Sequence, residues 1–208
     1  MAQPGNRYKS AIEKIIALYS VDVSKPSPIS LPNTNRTTLA GLFHTLGYSF
    51  GAEIGVGSGL YTETLCQQIP GVKMYGIDAW VPYPGIVDFQ DANYLEDDHQ
   101  AAVKRLAPYN VALVQRMSMD AVGMFQDKSF DFVYIDANHW DPYVTDDIVA
   151  WSKKVRRGGI VAGHDYHAEH PHVIKAVKEN AYYPFFVVGE TILANYPENI
   201  PSWFWVVP

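Results

Sequence analysis

"AEIGVGSGLYTE" (52–63) decides how this chain folds. On its left, "YSFGAEIG" (48–55) reads as a strand. On its right, "LYTETLCQQI" (60–69) reads as a helix. Between them Gly55, Gly57 and Gly59 let the backbone turn tightly and approach a ligand closely. The helix start behind them offers unpaired N–H groups, which favour an anionic or hydrogen-bonding ligand. Strand, glycine loop and helix together predict the first unit of a parallel α/β sheet.

The rest of the chain repeats the alternation. "VKMYGID" (72–78), "VALVQR" (111–116), "FDFVYID" (130–136) and "GIVAGHD" (159–165) read as strands. Helices "YLEDDHQAAVKRLAP", "MDAVGMFQ" and "YVTDDIVAWSKKV" lie between them, the last closed by Gly158 and Gly159. "VIKAVKEN" is a further helix. "YPFFVVG" and "SWFWVVP" are two final strands too close for a crossover helix, so they form an antiparallel pair at one end of the sheet. The expected fold is α/β: a doubly wound, mostly parallel, seven-stranded Rossmann-like sheet. Upstream, two helices, "SAIEKIIALYS" and "TTLAGLFHTLG", flank the Pro/Ser linker "SKPSPISLPN". They predict a short helical cap and linker over 1–46, with the sheet domain over 47–208.

Composition narrows the function. The chain has 208 residues, 48% hydrophobic and 18% charged, with a net charge of −6. That is a globular composition, and the negative balance speaks against nucleic acid or an anionic membrane as partner. The basic group Lys153, Lys154, Arg156 and Arg157 falls at a predicted helix end, where cations suit the dipole. The single cysteine, Cys66, allows no internal disulfide and reads as core. No apolar run is long enough to span a membrane, and the first residues do not resemble a signal peptide, so a cytoplasmic protein is expected.

Ligands of such sheets bind beyond the carboxyl ends of the strands. That rule selects the segments after Gly55, Asp78, Asp136 and Gly163. A dinucleotide loop is G-x-G-x-x-G followed by an acid about twenty residues on. Here Leu60 stands where that loop needs its third glycine, and the glycine falls one place earlier, at Gly59. The spacing E-x-G-x-G-x-G, led by Glu53, instead resembles motif I of class I S-adenosylmethionine-dependent methyltransferases. "GIDAW", "FDFVYIDANH" and "GGIVAGHDY" follow in the order of the branch that includes small-molecule and sugar O-methyltransferases. The resemblance implies that Glu53, Gly55, Gly57 and Gly59 lie along the methionine part of the cofactor. It further implies that Asp78 holds the ribose, with Ala79 and Trp80 flanking the adenosine. Met117 and Ser118 fall where the family makes its adenine contacts, with Asp120 a weaker candidate.

The strand ends carry the remaining chemistry. Asp136 and Asp165 end neighbouring strands, and adjacent strands lie about 4.8 Å apart. Two such carboxylates suit a divalent cation, and metal-dependent O-methyltransferases place acidic ligands at these two strand ends. Beside Asp165 stands His164, a poor ligand for Mg²⁺ and a good one for Zn²⁺, Mn²⁺ or Fe²⁺. The expected metal set is therefore Asp136, Asp165 and His164, with the ion's presence and identity open. In the metal-free alternative His139 is the general base for a substrate hydroxyl and Asp136 orients that substrate. Asp136, His139 and Asp165 are the catalytic candidates. "GHDYHAEHPH" (163–172) holds four of the chain's seven histidines. Its first half reads as site, and His167, His170 and His172 as a solvated or lid-like loop before a helix, since Pro171 breaks any helix running through them. Trp80, Tyr83 and Phe89 read as an apolar lid, and Trp140 and Tyr143 as the mouth. The apolar terminal strands suggest a face that packs against helices or against a second subunit, so a homodimer is one option.

The expected function is methyl transfer from S-adenosylmethionine to a small molecule, at a hydroxyl oxygen. The alternatives are an NAD(P)-dependent oxidoreductase and a cofactor-binding protein of this fold without turnover.

Overall fold

The computed structural model describes residues 5–84, 91–189 and 200–208. The elements run α1 (Gly5–Tyr19), β1 (Ile29–Ser30), α2 (Arg36–Thr45), β2 (Phe50–Ile54), α3 (Leu60–Gln68), β3 (Lys73–Asp78), α4 (Ala92–Leu106) and β4 (Val111–Gln115). They continue with α5 (Ser118–Ala121), β5 (Phe130–Ile135), α6 (Tyr143–Ser152), β6 (Val155–Gly163), α7 (Pro171–Asn180), β7 (Phe185–Val188) and β8 (Ser202–Val206). Among the described residues, one sheet takes all the strands in the order β1-β7-β8-β6-β5-β2-β3-β4. β8 runs antiparallel to both β6 and β7, and the other pairings are parallel.

The strand count corrects the sequence reading: among the described residues there are eight strands rather than seven. The extra one is Ile29–Ser30, from the segment read as linker, which pairs with Phe186 and Val187 of β7. Its flanking prolines end it after two residues, since proline lacks the N–H that a ladder needs. All four residues of β7 and all five of β8 are buried, so their apolar side chains are used in packing inside the molecule. Their connection, 190–199, lies outside the described residues, as does Phe89.

The sheet separates two apolar layers because strand side chains alternate. On β5, Phe132 and Tyr134 join the layer under α1, α2 and α3, while Val133 and Ile135 join the layer under α6 and α7. Helices α1 and α2, expected as a cap, contribute Ile15, Leu39 and Phe43 to the first of these layers. A third boundary also moves. The helix expected to reach Gly158 and Gly159 ends at Ser152, and these glycines lie within β6. A Cβ on Gly158 would fall 2.7–2.8 Å from the side chain and backbone of Arg7. The glycine is there so that α1 can lie against the strand. Arg156, on that strand, pairs with Asp131 at 2.6 Å, and the other Asp131 oxygen accepts from the amides of Ser49 and Phe50.

Gly51 has a comparable role. A Cβ there would stand 2.2 Å from the Phe132 ring on the neighbouring strand. Overpacking of this kind costs about 1–3 kcal/mol. Gly51→Ala is expected to lose that amount in urea unfolding. Because the two residues share one space, Gly51→Ala/Phe132→Leu should lose less than the sum of the single variants. Strict additivity would show that the contact does not govern the site.

Candidate active site

The sheet order reverses between β2 and β5. Chain leaving β2 passes to β3 and β4 on one side, and β5 and β6 lie on the other. The loops after β2 and β5 therefore diverge and leave a crevice. Gly55, Gly57 and Gly59 all have left-handed backbone, φ 88°, 50° and 82°. Asp78 fastens the turn. One of its oxygens accepts from the amides of Val56 and Gly57, each at 2.9 Å, and the other accepts from the Trp80 amide at 2.9 Å. A carboxylate offers about four acceptor positions, so room remains for a ligand hydroxyl. Arg105 braces the loop from α4, donating to the Ser58 carbonyl and to Glu63.

A cavity of about 530 Å³ opens above this loop, within the range of roughly 300–1,000 Å³ usual for small-molecule sites. Glu53, Gly55, Gly57, Asp78, Ala79, Trp80, Met117, Ser118, Asp136 and His139 all border it, as the sequence reading expects. Gly59 does not; a Cβ there would press on Leu106 and Ala102 at 3.1–3.3 Å, so this glycine serves the packing of α3 on α4. Asp120 is exposed and stands outside the lining. Trp80 is no lid. It is 2% exposed, its indole N–H donates to the Gly57 carbonyl, and its ring stacks on His99 at 4.4 Å. Tyr83 and Tyr143 do form a wall, with Asn138 donating to the Tyr83 hydroxyl, whereas Trp140 lies off the cavity.

Among the lining residues that escaped the sequence reading are Arg36, Asp98 and Asp147. Arg36 lies beside the linker, and Asp98 and Asp147 sit on helices whose acids look solvated. A pattern of apolar positions does not say which helix face meets a cavity. Asp147 is buried, and that burial pushes its carboxyl up to about 7 against the hydrogen bond from Ser118. Ser118 in turn accepts from the Trp151 indole at 2.7 Å. Asp98 is also raised, by partial burial and the charge of Asp78. Glu53 is 1% exposed and accepts from the Thr62 hydroxyl. Burial pushes it up to about 8, the Thr62 hydrogen bond opposing and nearby Asp136 assisting.

The second half of the site gathers around Asp165. This residue has left-handed backbone, φ 59°, a conformation uncommon outside glycine and more tolerable for Asp than for most residues. His139 Nε2 lies 2.8 Å and His164 Nδ1 3.1 Å from one carboxylate oxygen. His167 and His170 face the other oxygen at 3.4 and 3.8 Å. Asp136 approaches His139 at 3.6 Å and His164 at 3.7 Å. The expectation that His167 and His170 belong to a solvated loop is thereby overturned: they turn inward. His172 lies in the first turn of α7, which Pro171 starts rather than breaks. His164 and Asp165, expected to face the pocket, are each 6% exposed and stand behind its wall. Asp136 and His139 connect the cluster to the cavity. Burial alone would lower the His139 pKa, but the carboxylates of Asp136 and Asp165 outweigh it and hold the ring near 10. Burial would raise Asp165, and His139 and His164 outweigh that, holding it far below the carboxylate range. The buried Nε2 atoms of His139 and His167 make no aligned hydrogen bond; such groups cost about 1–3 kcal/mol each when left unsatisfied. Asp136, Asp165 and His164 offer ligand atoms within 4.8 Å of one another, as do His139, Asp165 and His170.

The sequence profile of a family described as "Methyltransferase domain" matches residues 52–166, more than half of the chain and nearly all of this site. Among solved structures, the O-methyltransferase from Bacillus cereus in complex with SAH is 14% identical, with a TM-score of 0.58 over 98% of this chain and 91% of that one. The O-methyltransferase TomG from Streptomyces achromogenes, in complex with SAM, is 15% identical, with a TM-score of 0.56 over 97% and 90%. Spermidine synthase from Thermotoga maritima is 13% identical, with a TM-score of 0.55 over 80% and 56%. At such identities the likeness concerns the fold. No curated protein sequence matches the chain.

Glu53 gives the site a pH signature. Its folded pKa, about 8, lies above its ordinary 4.5. The folded state therefore binds the extra proton, and its stability falls as pH rises from about 4.5 to about 8. Glu53→Gln keeps an acceptor for Thr62 and has no proton to lose. Its stability relative to the parent chain should improve between pH 5 and pH 8, on the order of 3 kcal/mol. Urea unfolding at the two pH values reads this, and an equal difference at both would remove the neutral-carboxyl assignment.

Proposed function

The chain belongs to the methyltransferase domain family, and from that premise we propose that it transfers a methyl group from S-adenosylmethionine to a hydroxyl oxygen of a small molecule. The observation that carries the reading is one cavity lined by the glycine loop, Glu53 and Arg36 together with Asp136 and His139. The residues suit the cofactor. Glu53 is assigned to its ammonium, Arg36 to its carboxylate, Asp78 and Asp98 to the ribose hydroxyls. Ala79, Trp80, Met117 and Ser118 are assigned to the adenosine, with Asp147 fixing Ser118 from behind. S-adenosylmethionine supplies an electrophilic methyl group, and its displacement needs mainly alignment and a deprotonated acceptor.

The chain's own groups prepare that acceptor. Asp136 borders the cavity and is assigned to orient the acceptor hydroxyl. His139 is assigned to its proton. In the free protein at neutral pH, His139 already holds a proton, so it acts as a base only when the charge around Asp165 is rebalanced. A divalent cation on Asp136, Asp165 and His164 would rebalance it and would supply Lewis acidity toward an oxygen. Proximity of Tyr83 and Tyr143 to these groups suits an acceptor with an apolar or aromatic body.

Calorimetric titration separates this reading from its rivals. S-adenosylhomocysteine should bind in the micromolar range and NAD should not. Leu60, 56% exposed at the start of α3, stands where a dinucleotide loop needs glycine, so saturable NAD binding with silence from S-adenosylhomocysteine would favour the oxidoreductase. Glu53→Gln and Arg36→Ala should weaken S-adenosylhomocysteine about ten-fold or more. On an acceptor found by screening, Asp136→Ala and His139→Ala should each lower kcat by about 100-fold or more while leaving S-adenosylhomocysteine affinity within a few-fold. Cofactor binding without transfer to any acceptor would leave a binding protein of this fold.

A further inference from the structure

We propose that the histidine cluster around Asp165 is a binding site for one first-row transition-metal ion, with His139 and His170 as ligands alongside Asp165, and that it rejects Mg²⁺. This extends the metal set assigned above in ligands and in ion class, and with the ion bound His139 serves as a ligand in place of the base. It does not depend on methyl transfer.

The ligand chemistry argues first. Four imidazoles, His139, His164, His167 and His170, face a single carboxylate at 2.8–3.8 Å, with Asp136 as the second acid. Mg²⁺ demands an octahedron of oxygens and keeps several waters. Imidazole-rich surroundings suit Zn²⁺, Co²⁺ and Fe²⁺. The spacing argues second. Ligands of a tetrahedral ion with bonds of about 2.0–2.1 Å lie about 3.3 Å apart. Separations from His139 and His164 to Asp136 and Asp165 are 3.6, 2.8, 3.7 and 3.1 Å, which bracket that value. Alignment argues third. His139 Nε2 is buried 2.8 Å from Asp165 without the direction of a hydrogen bond, and His167 Nε2 is buried at 3.4 Å in the same way. His139, Asp165 and His170 nonetheless offer ligand atoms within 4.8 Å of one another, a grouping that a metal ion satisfies where hydrogen bonds do not. His170 is tilted 52° to His139 and 86° to His167, so these rings meet at angles instead of stacking. Finally, the left-handed backbone at Asp165 turns the shared carboxylate into their midst.

The test uses the intact chain, freed of metal with a chelator and titrated with Co²⁺ under visible absorption. One equivalent should bind and give ligand-field bands typical of nitrogen coordination. Zn²⁺ should displace it, and Mg²⁺ in thousand-fold excess should not. His139→Ala and His170→Ala should each weaken Co²⁺ binding at least ten-fold. His172→Ala, whose ring faces Asp141, should leave it unchanged. Circular dichroism and S-adenosylhomocysteine titration check that each variant is folded. No Co²⁺ bands, displacement by Mg²⁺, or binding indifferent to both His139→Ala and His170→Ala in folded protein would each overturn the proposal. A chain that binds Co²⁺ but not S-adenosylhomocysteine would sustain this inference and defeat the functional reading. The reverse outcome would defeat this inference alone.

Discussion

The site depends on two backbones lying against each other. Gly55, leaving β2, has no room for a side chain: a Cβ would stand 2.1 Å from the carbonyl oxygen of Asp136. The amide of Asp136 donates to Ile54 at 2.7 Å, and the amide of Gly55 donates to Ile77 at 2.8 Å. Three strand ends are thereby pinned at one point. The glycine loop, Asp78 and Asp136 are held at fixed separation by the same hydrogen bonds that hold the sheet. A parallel sheet buried on both faces is stiff, and that stiffness is what a reaction governed by alignment requires.

Charge is arranged around that point in two contrasting ways. Glu53 and Asp147 are buried with a hydroxyl as their nearest partner, and burial raises them to about 8 and about 7. A hydroxyl donates only one hydrogen bond, which is too little to offset the desolvation of an anion. Asp165 is almost as deeply placed but is ringed by imidazoles, and it stays ionised. Burial thus yields neutral acids at Glu53 and Asp147 and an ion-paired cluster around Asp165. A ligand ammonium at the first and a cation at the second would each take the place of a proton.

Much of this was readable in the chain. Periodicity, glycines and strand-end acids were enough for the parallel core and for ten residues of the cavity wall, because both follow from local spacing. What escaped depends on three-dimensional neighbours. Ile29–Ser30 is too short to have a period, and only pairing with β7 makes it a strand. Gly158 and Gly159 look like a helix stop, yet both lie within β6, where α1 presses on the first and the Asp131 carbonyl on the second. Arg36, Asp98 and Asp147 carry no signal at all in a linear pattern. His167 and His170 were misread because Pro171 hides the fold-back that turns them toward Asp165; the tight turn is visible only in the His170-to-His167 amide contact.

The fold itself is shared by proteins that move different groups, as the likeness to a spermidine synthase illustrates. Features common to such folds therefore say little about the acceptor. The glycine loop and Asp78 belong to the part we assign to the cofactor. The segments after β5 and β6, assigned to the acceptor, carry four histidines turned onto one aspartate. Burying this many imidazoles beside a carboxylate costs solvation that ordinary packing would avoid by using apolar residues. The cluster gives no gain to the core, which is built elsewhere in the sheet. Its position, one residue deep behind the cavity wall and joined to it by Asp136 and His139, ties that cost to whatever the cavity binds.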